Sequence, residues 1–125
     1  MLWGKTTTDI GRRGERIAAK FLKKNGYRIV AKNFSSAHGE IDIIAEDNGF
    51  LVFVEVKARK DSDEYFENYG LPCEAVTKKK QQHIIYTAQI FLKNHPTNKE
   101  IRFDIIEVYL GDKAKVRHIE NAFFA

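Results

Sequence analysis

Three charged residues, Asp42, Glu55 and Lys57, lie on two strand-like runs and have the side chains for metal-assisted hydrolysis. Mg²⁺ prefers carboxylate oxygens and keeps several of its waters, so Asp42 and Glu55 could hold such an ion between them. Lys57 lies two residues beyond Glu55, on the same face of its strand. Its ammonium group could orient a water or stabilise negative charge on a phosphate. This chemistry requires the two strands to be neighbours.

The residues between the two runs predict how the strands pair. Asp47-Asn48-Gly49 is a strong hairpin signal, and a two-residue type I′ turn is expected at its last two residues. Counting outward from that turn places Asp42 opposite Glu55, with Cβ atoms roughly 4.5–5.5 Å apart. Glu40 is then opposite Lys57. A slip of one residue would mix charged and apolar side chains on each face, so the pattern disfavours it.

The pattern leaves two interpretations of these charges open. Like charges directly opposite each other destabilise a sheet unless something neutralises them, and a hard divalent cation would neutralise Asp42 and Glu55. Alternatively, the strands form a solvent-facing edge, where Glu40 and Lys57 make a weak surface salt bridge.

Three further residues are candidates for the same site. Glu15 lies at the border of the apolar stripe of the first helix and could be an outer metal ligand. An exposed glutamate favoured by the helix dipole explains it equally well. Lys80 and Gln81 lie near the N-terminus of the second helix, where phosphate contact is natural. The run Lys78–Lys80 is also consistent with a solvated patch.

Two other charged sets are interpreted as structural. Arg102 and Asp104 alternate with apolar residues in one strand, which predicts an ion pair within the fold. The first helix carries cations that favour a solvated face, namely Arg12, Arg13, Lys20, Lys23 and Lys24.

The elements that position these residues follow from hydrophobic periodicity. Helices are predicted from Thr8 to Asn25 and from Val76 to Asn94. Five strands are predicted, at Tyr27–Phe34, Glu40–Glu46, Phe50–Ala58, Ile101–Leu110 and Lys115–Phe123. The polar segment Lys60–Leu71 is predicted to be a loop. The order α-β-β-β-α-β-β predicts one mixed sheet with helices packed on it.

Length and composition limit the class of protein. The 125 residues point to a single domain, 1–125, that can bury a core without disulfides. Cys73 is the only cysteine, no Cys/His zinc pattern exists, and no signal-peptide or membrane-spanning stretch is present. These features favour a cytoplasmic protein that does not enter membranes. A net charge of +4 permits a polyanionic partner.

Several short motifs occur together along the chain. They are Gly14-Glu15 with Ala18, Gly26-Tyr27, Asn33, Gly39-Glu40-Ile41-Asp42, Phe53-Val54-Glu55-Val56-Lys57 with Arg59, Lys80, and Arg102-Phe103-Asp104. In this combination, from about Gly11 to Val108, the chain resembles the YraN-type family of predicted endonucleases. That family is similar in turn to archaeal Holliday-junction resolvases and to the restriction-endonuclease-like superfamily.

The resemblance implies a fold, a site and a cofactor. The fold is an α/β restriction-endonuclease-like core of order α-β-β-β-α-β, with a central mixed sheet flanked by helices. Asp42 and Glu55 would hold Mg²⁺ or Mn²⁺, Lys57 would assist the attacking water, and Glu15 would lie near the metal. The nucleic-acid contacts expected with this site are Arg59, Lys80 and Gln81.

The expected activity is therefore hydrolysis of phosphodiester bonds in DNA, whether branched or single-stranded. One alternative is a non-catalytic nucleic-acid-binding module of the same fold. Another is a structural protein that docks through Phe123 and Phe124. A two-fold homodimer is also expected, because paired cuts in a four-way junction need two symmetric sites. Its candidate contacts are the Lys60–Leu71 loop and the Phe123-Phe124 end.

Overall fold

The computed structural model describes residues 7–60 and 76–125. Its elements, in chain order, are α1 (Thr7–Lys24), β1 (Arg28–Ser36), β2 (Gly39–Glu46), β3 (Phe50–Lys60), α2 (Lys78–Asn94), β4 (Glu100–Leu110) and β5 (Lys115–Phe123). The predicted order of helices and strands is confirmed, with small shifts at the ends. The predicted Lys60–Leu71 loop lies outside the described residues, except that Lys60 itself ends β3.

The strands form one mixed sheet in the order β1-β2-β3-β4-β5. Strands β1, β2 and β3 are antiparallel neighbours, β3 and β4 are parallel, and β5 is antiparallel to β4. The parallel step requires a crossover, and α2 lies in that connection. This is the predicted α/β architecture, with the α-β-β-β-α-β core of a restriction-endonuclease-like fold.

Each edge strand of the sheet carries an irregularity. The pairing of β1 with β2 shifts register between Ile29 and Ala31. The pairing of β5 with β4 shifts between Phe103 and Ile105, and Asn121 opposite this point has a left-handed φ of 52°. Extra residues of this kind are β-bulges, which bend a strand and interrupt its ladder.

The two helices cover opposite faces of the sheet, so the central strands are apolar on both sides. The α1 face is filled by Ala18, Ala19, Leu22, Ile43, Val52, Val54, Ile106 and Val108. The α2 face is filled by Ile44, Phe53, Ile84, Ala88, Phe91, Phe103 and Ile105. Neither described helix is long and apolar enough to cross a bilayer.

A glycine sets the distance between α1 and β3. A Cβ atom on Gly14 would stand closer to the Cβ of Ala58 than real Cβ atoms come to one another. A Cβ atom on Gly11, one turn earlier in the same helix, would meet nothing within 4 Å. Close packing of α1 on β3 therefore depends on Gly14, which directly precedes Glu15.

The turn between β2 and β3 keeps the predicted register but is not of the predicted type. The paired residues follow the predicted register at all four positions of the ladder. Neither residue of Asn48-Gly49 has the positive φ that a type I′ turn requires, so that prediction is wrong. Instead, Asp47 Oδ1 accepts hydrogen bonds from the N–H of Gly49 (3.0 Å) and of Phe50 (2.9 Å). The aspartate side chain thus closes the turn.

Candidate active site

The predicted site lies where β2 and β3 separate. Their ladder ends at Ile43 and Val54, although β2 stays paired with β1, and β3 with β4, well beyond this point. Across the opening, the backbone N–H of Val56 donates to Asp42 Oδ2 at 2.8 Å. The Asp42 side chain therefore bridges two strands whose backbones have parted. The predicted pairing of Glu40 with Lys57 is wrong, because the ladder ends before it.

Asp42 and Glu55 are neighbours across this opening, as predicted. Their carboxyl groups lie within hydrogen-bonding reach of each other. Glu55 is only 5% exposed and Asp42 is partly buried. Burial and then the charge of Glu55 raise the pKa of Asp42 to about 8, although the hydrogen bond from Val56 opposes this rise. Two ionised carboxylates are therefore unfavourable here unless a cation accompanies them.

Two lysines surround Glu55. Lys57 Nζ lies 3.8 Å and Lys80 Nζ 3.5 Å from Glu55 Oε2. Lys57 belongs to the same strand as Glu55, whereas Lys80 comes from the first turn of α2. Thr77 caps that turn by accepting a hydrogen bond from the Lys80 N–H at 3.1 Å. Both ammonium groups remain partly exposed, at 32% for Lys57 and 45% for Lys80, so they face an approaching ligand.

Glu15 reaches the same cluster from α1. Burial and then the charges of Asp42 and Glu40 raise the pKa of Glu15. Asn33 orients the Glu15 carboxyl group, because its amide Nδ2 donates to Glu15 Oε1 at 3.0 Å and to Glu40 Oε1 at 3.3 Å. The structure therefore brings Glu15 together with the predicted pair.

Sequence reasoning gave Asn33 no role in the site. Its backbone has a left-handed φ of 52°, which asparagine tolerates better than most residues. An asparagine inside a run of strand-forming residues was the available signal, because asparagine is depleted from regular strands.

The other two residues predicted to contact nucleic acid have partners of their own within the fold. Gln81 is partly buried, and its Nε2 donates to the backbone oxygen of Val76 at 3.0 Å. Arg59 lies on the Glu55–Lys57 face of β3 but pairs with Glu107 of β4, with Nε and Oε2 3.9 Å apart. Neither residue is placed against the Asp42–Glu55 pair in the described contacts.

The donor set fits a hard divalent cation. Within residues 7–60 and 76–125, no three carboxylate, imidazole or thiol side chains converge as a complete metal site. Mg²⁺ nevertheless binds commonly through one or two carboxylates and retains water ligands, and carboxylates also suit Mn²⁺. A cation at Asp42 and Glu55 would relieve the repulsion that their contact creates.

A second cluster of charges surrounds Asp104, which is completely buried. Arg102 donates two short hydrogen bonds to its carboxylate, each of 2.9 Å. His118 Nε2 lies 2.7 Å from Oδ2, and the Asn121 N–H donates to Oδ1 at 3.1 Å. Burial alone would raise the pKa of Asp104, but hydrogen bonds from His118 and Arg102 outweigh it and hold this pKa below its usual value. The predicted ion pair is confirmed, and His118 was not foreseen.

The fold is that of a small α/β protein with a restriction-endonuclease-like core. The chain belongs to the family described as "Uncharacterised protein family UPF0102", whose model matches residues 14–108. This confirms the resemblance to the YraN-type family.

Relatives match almost the whole chain. A UPF0102 protein of Alkaliphilus metalliredigens is 41% identical over 116 residues, which cover 92% of this chain and 97% of the relative. A UPF0102 protein of Caldanaerobacter subterraneus is 47% identical over 119 residues, which cover 91% and 93% respectively. These names describe family membership and state no activity.

Proposed function

We propose that this protein is a metal-dependent endonuclease that hydrolyses phosphodiester bonds in DNA. The observation that carries the proposal is the contact between the carboxyl groups of Asp42 and Glu55 at the opening between β2 and β3. Two ionised carboxylates held together destabilise a fold, and a cation bound between them would offset that cost. Two partly exposed lysines beside the pair suit an anionic substrate.

Each residue of the cluster has a part in this proposal. Asp42 and Glu55 would hold Mg²⁺ or Mn²⁺, which when bound supplies positive charge that polarises phosphate oxygen and water. The Val56 N–H fixes the orientation of Asp42, and Asn33 fixes that of Glu15 as an outer carboxylate.

The cations of the site would act on the substrate itself. Lys57 would place its ammonium group where negative charge develops on the scissile phosphate, an interaction worth most in a site with little water. Lys80 would neutralise the same phosphate from α2. Gln81 and Arg59 would contact neighbouring nucleotides.

A cleavage assay tests the proposal. Labelled linear, flapped and four-way DNA would be incubated with the protein in Mg²⁺, Mn²⁺ or EDTA. We expect metal-dependent cleavage by the parent, its loss in Glu55→Gln, and parent-like cleavage by Glu100→Gln, an exposed carboxylate at the start of β4. Cleavage that persists in EDTA or in Glu55→Gln would overturn the assignment. Metal-independent DNA binding without cleavage would favour the non-catalytic binding module.

We further propose that the form active on a four-way junction is a two-fold homodimer. One described site can cut one strand, and paired cuts require two such sites related by symmetry. The exposed Phe124, at 76% exposure, provides an apolar contact surface at the C-terminal end. Sedimentation with and without a four-way junction tests this, and a single protomer bound per junction would exclude it.

A further inference from the structure

A basic groove runs along α1 on the side next to β1. It has a volume of about 500 Å³, and Ile17 and Ala19 contribute to its floor. Its cationic lining comes from Arg13, Arg16, Lys20 and Lys23 of α1, together with Lys32 of β1. The sequence favoured a solvated face for the α1 cations. Three of these cations, Arg13, Lys20 and Lys23, line one concave surface together with Arg16 and with Lys32 from a second element.

The spacing of these cations costs the helix stability. Arg16 and Lys20 are four residues apart, and Arg13–Arg16 and Lys20–Lys23 are each three residues apart, so like charges are adjacent on the helix surface. Such pairs each destabilise a helix by about 0.2–0.5 kcal/mol. An anionic ligand bound by all of these cations would offset their repulsion, which explains why the helix repeats this unfavourable spacing.

The length of the groove matches a nucleic-acid strand. From Arg13 to Lys23 the helix rises about 15 Å. One strand of a duplex advances about 3.4 Å along the axis per phosphate and also winds around that axis, so the four helical cations span at most about four consecutive phosphates.

The groove also leads to the carboxylate cluster. Lys32, which lines the groove, directly precedes Asn33 in β1. Asn33 Nδ2 donates to Glu15 Oε1 at 3.0 Å and so connects this strand to the carboxylate cluster. A strand held in the groove would therefore pass Lys32 and Glu15 before it reaches Asp42 and Glu55.

We propose that this α1 groove binds the sugar-phosphate backbone of duplex DNA and directs one strand into the site. The proposal rests on the proposed nuclease function for its choice of ligand. It assigns the main electrostatic contact to α1 and Lys32 rather than to the lysine run of α2.

Binding can be measured apart from cleavage. Fluorescence anisotropy with a labelled linear duplex, in EDTA and over a series of salt concentrations, gives the slope of log affinity against log salt. The double variant Arg16→Ala/Lys20→Ala should make this slope shallower by about 2, because each lost phosphate contact contributes about 0.9. Both residues are exposed, so folding should be unaffected, and the charge-preserving variant Arg16→Lys/Lys20→Arg should keep the parent slope.

Two controls with the same change of charge make the result specific. Lys93→Ala/Lys113→Ala removes two exposed cations elsewhere and should leave the slope unchanged. Lys78→Ala/Lys79→Ala removes two exposed cations of α2 and should change it less than the groove variant does. A slope that responds to the α2 variant but not to the groove variant would overturn the proposal, as would a parent that does not bind duplex DNA.

The two proposals fail in different ways. If the parent binds through the groove but never cleaves in Mg²⁺ or Mn²⁺, the nuclease function is wrong and the groove assignment stands. If the parent cleaves and the groove variant keeps the parent salt slope, the groove assignment alone is wrong.

Discussion

The sheet carries two clusters of charged side chains around aspartates, and they differ in how their charges are balanced. Asp104 is completely buried, yet its carboxylate accepts hydrogen bonds from Arg102, from the Asn121 N–H and from His118. Asp42 accepts one backbone hydrogen bond and faces the carboxyl group of Glu55. The pKa of Asp104 is lowered, whereas that of Asp42 is raised.

This difference separates a structural cluster from a functional one. A buried carboxylate with enough donors holds parts of a fold together, as Asp104 does for β4 and the bulge of β5. When a carboxylate is held against another carboxylate, their negative charge is not compensated until a cation or a proton binds. Uncompensated charge that the surrounding fold tolerates is typical of functional sites.

The largest expected effect on stability is at Asp104. In EDTA, Asp104→Asn should lower the free energy of unfolding by about 3–5 kcal/mol, because it removes the buried counter-ion of Arg102. Of the described carboxylates, Arg102 then keeps only that of Glu120, which is 3.7 Å away and 57% exposed. The matched change Asp42→Asn should leave this free energy unchanged or raise it, since it removes the repulsion from Glu55 and keeps an acceptor for the Val56 N–H. Urea unfolding measures both. Clear destabilisation by Asp42→Asn would mean that the two clusters do not differ in the way described.

The next effect concerns catalysis and depends on the proposed nuclease function. Lys57→Ala should reduce the cleavage rate by about 10²–10³-fold, with little change in DNA affinity, because its charge matters most where negative charge develops. Rates under single-turnover conditions and anisotropy measured in EDTA separate the two quantities. Equal losses in rate and affinity would make Lys57 a binding residue only.

A smaller effect should follow from moving Glu15 relative to Asp42. Gly14→Ala forces α1 away from Ala58 and should cost about 1–3 kcal/mol of stability, because the added methyl group overpacks the contact. Gly11→Ala lies in the same helix with open space around it and should stabilise by about 0.5–1 kcal/mol. Thermal unfolding compares the pair. Similar effects at both positions would show that close packing at Gly14 does not set the position of α1.

The smallest effect is the pH dependence of the metal-free protein. The pKa of Asp42 is about 8 in the fold against an ordinary 3.8, so the folded chain keeps a proton that the unfolded chain loses. Its stabilising contribution is complete below pH 3.8 and is lost as pH rises towards 8. We expect the free energy of unfolding to fall by on the order of 1–2 kcal/mol between these pH values. The fall is this small because water that enters the site weakens the effect of burial on the Asp42 charge.

The same titration compares the two clusters. In Asp42→Asn the free energy of unfolding should decrease less as the pH rises. The remaining decrease is the part due to Glu15, whose pKa is also raised. Asp104 should behave in the opposite way. Its lowered pKa gives a contribution that is complete above the ordinary value of 3.8 and is lost as pH falls through the folded pKa. Stability that rises with pH between 4 and 8 in the parent, measured in EDTA, would contradict the pKa direction at Asp42.

Much of the site followed from local patterns. Alternation in β2 and β3, with a short turn between them, was sufficient to place Asp42 beside Glu55. The predicted type of turn was wrong because Oδ1 of the Asp47 side chain accepts the hydrogen bonds that close this turn. Side-chain capping of this kind changes backbone angles without changing the register.

Other parts of the site depend on distant residues and were not predictable from local patterns. The end of the β2–β3 ladder follows from the continued pairing of β2 with β1 and of β3 with β4. His118 reaches Asp104 from a different strand, and Lys32 joins the α1 cations from β1. Periodicity describes one element at a time and does not say which side chains of separate elements converge.

The bulges of the two outer strands have a consequence for assembly. An unbroken outer strand offers a row of free N–H and C=O groups on which another chain can add a strand, and proteins commonly prevent this by bulging their edges. Here both β1 and β5 are interrupted. Neither border of the sheet presents a regular ladder for a second copy to extend. Two copies would therefore meet through side chains, and each would keep its own five-stranded sheet.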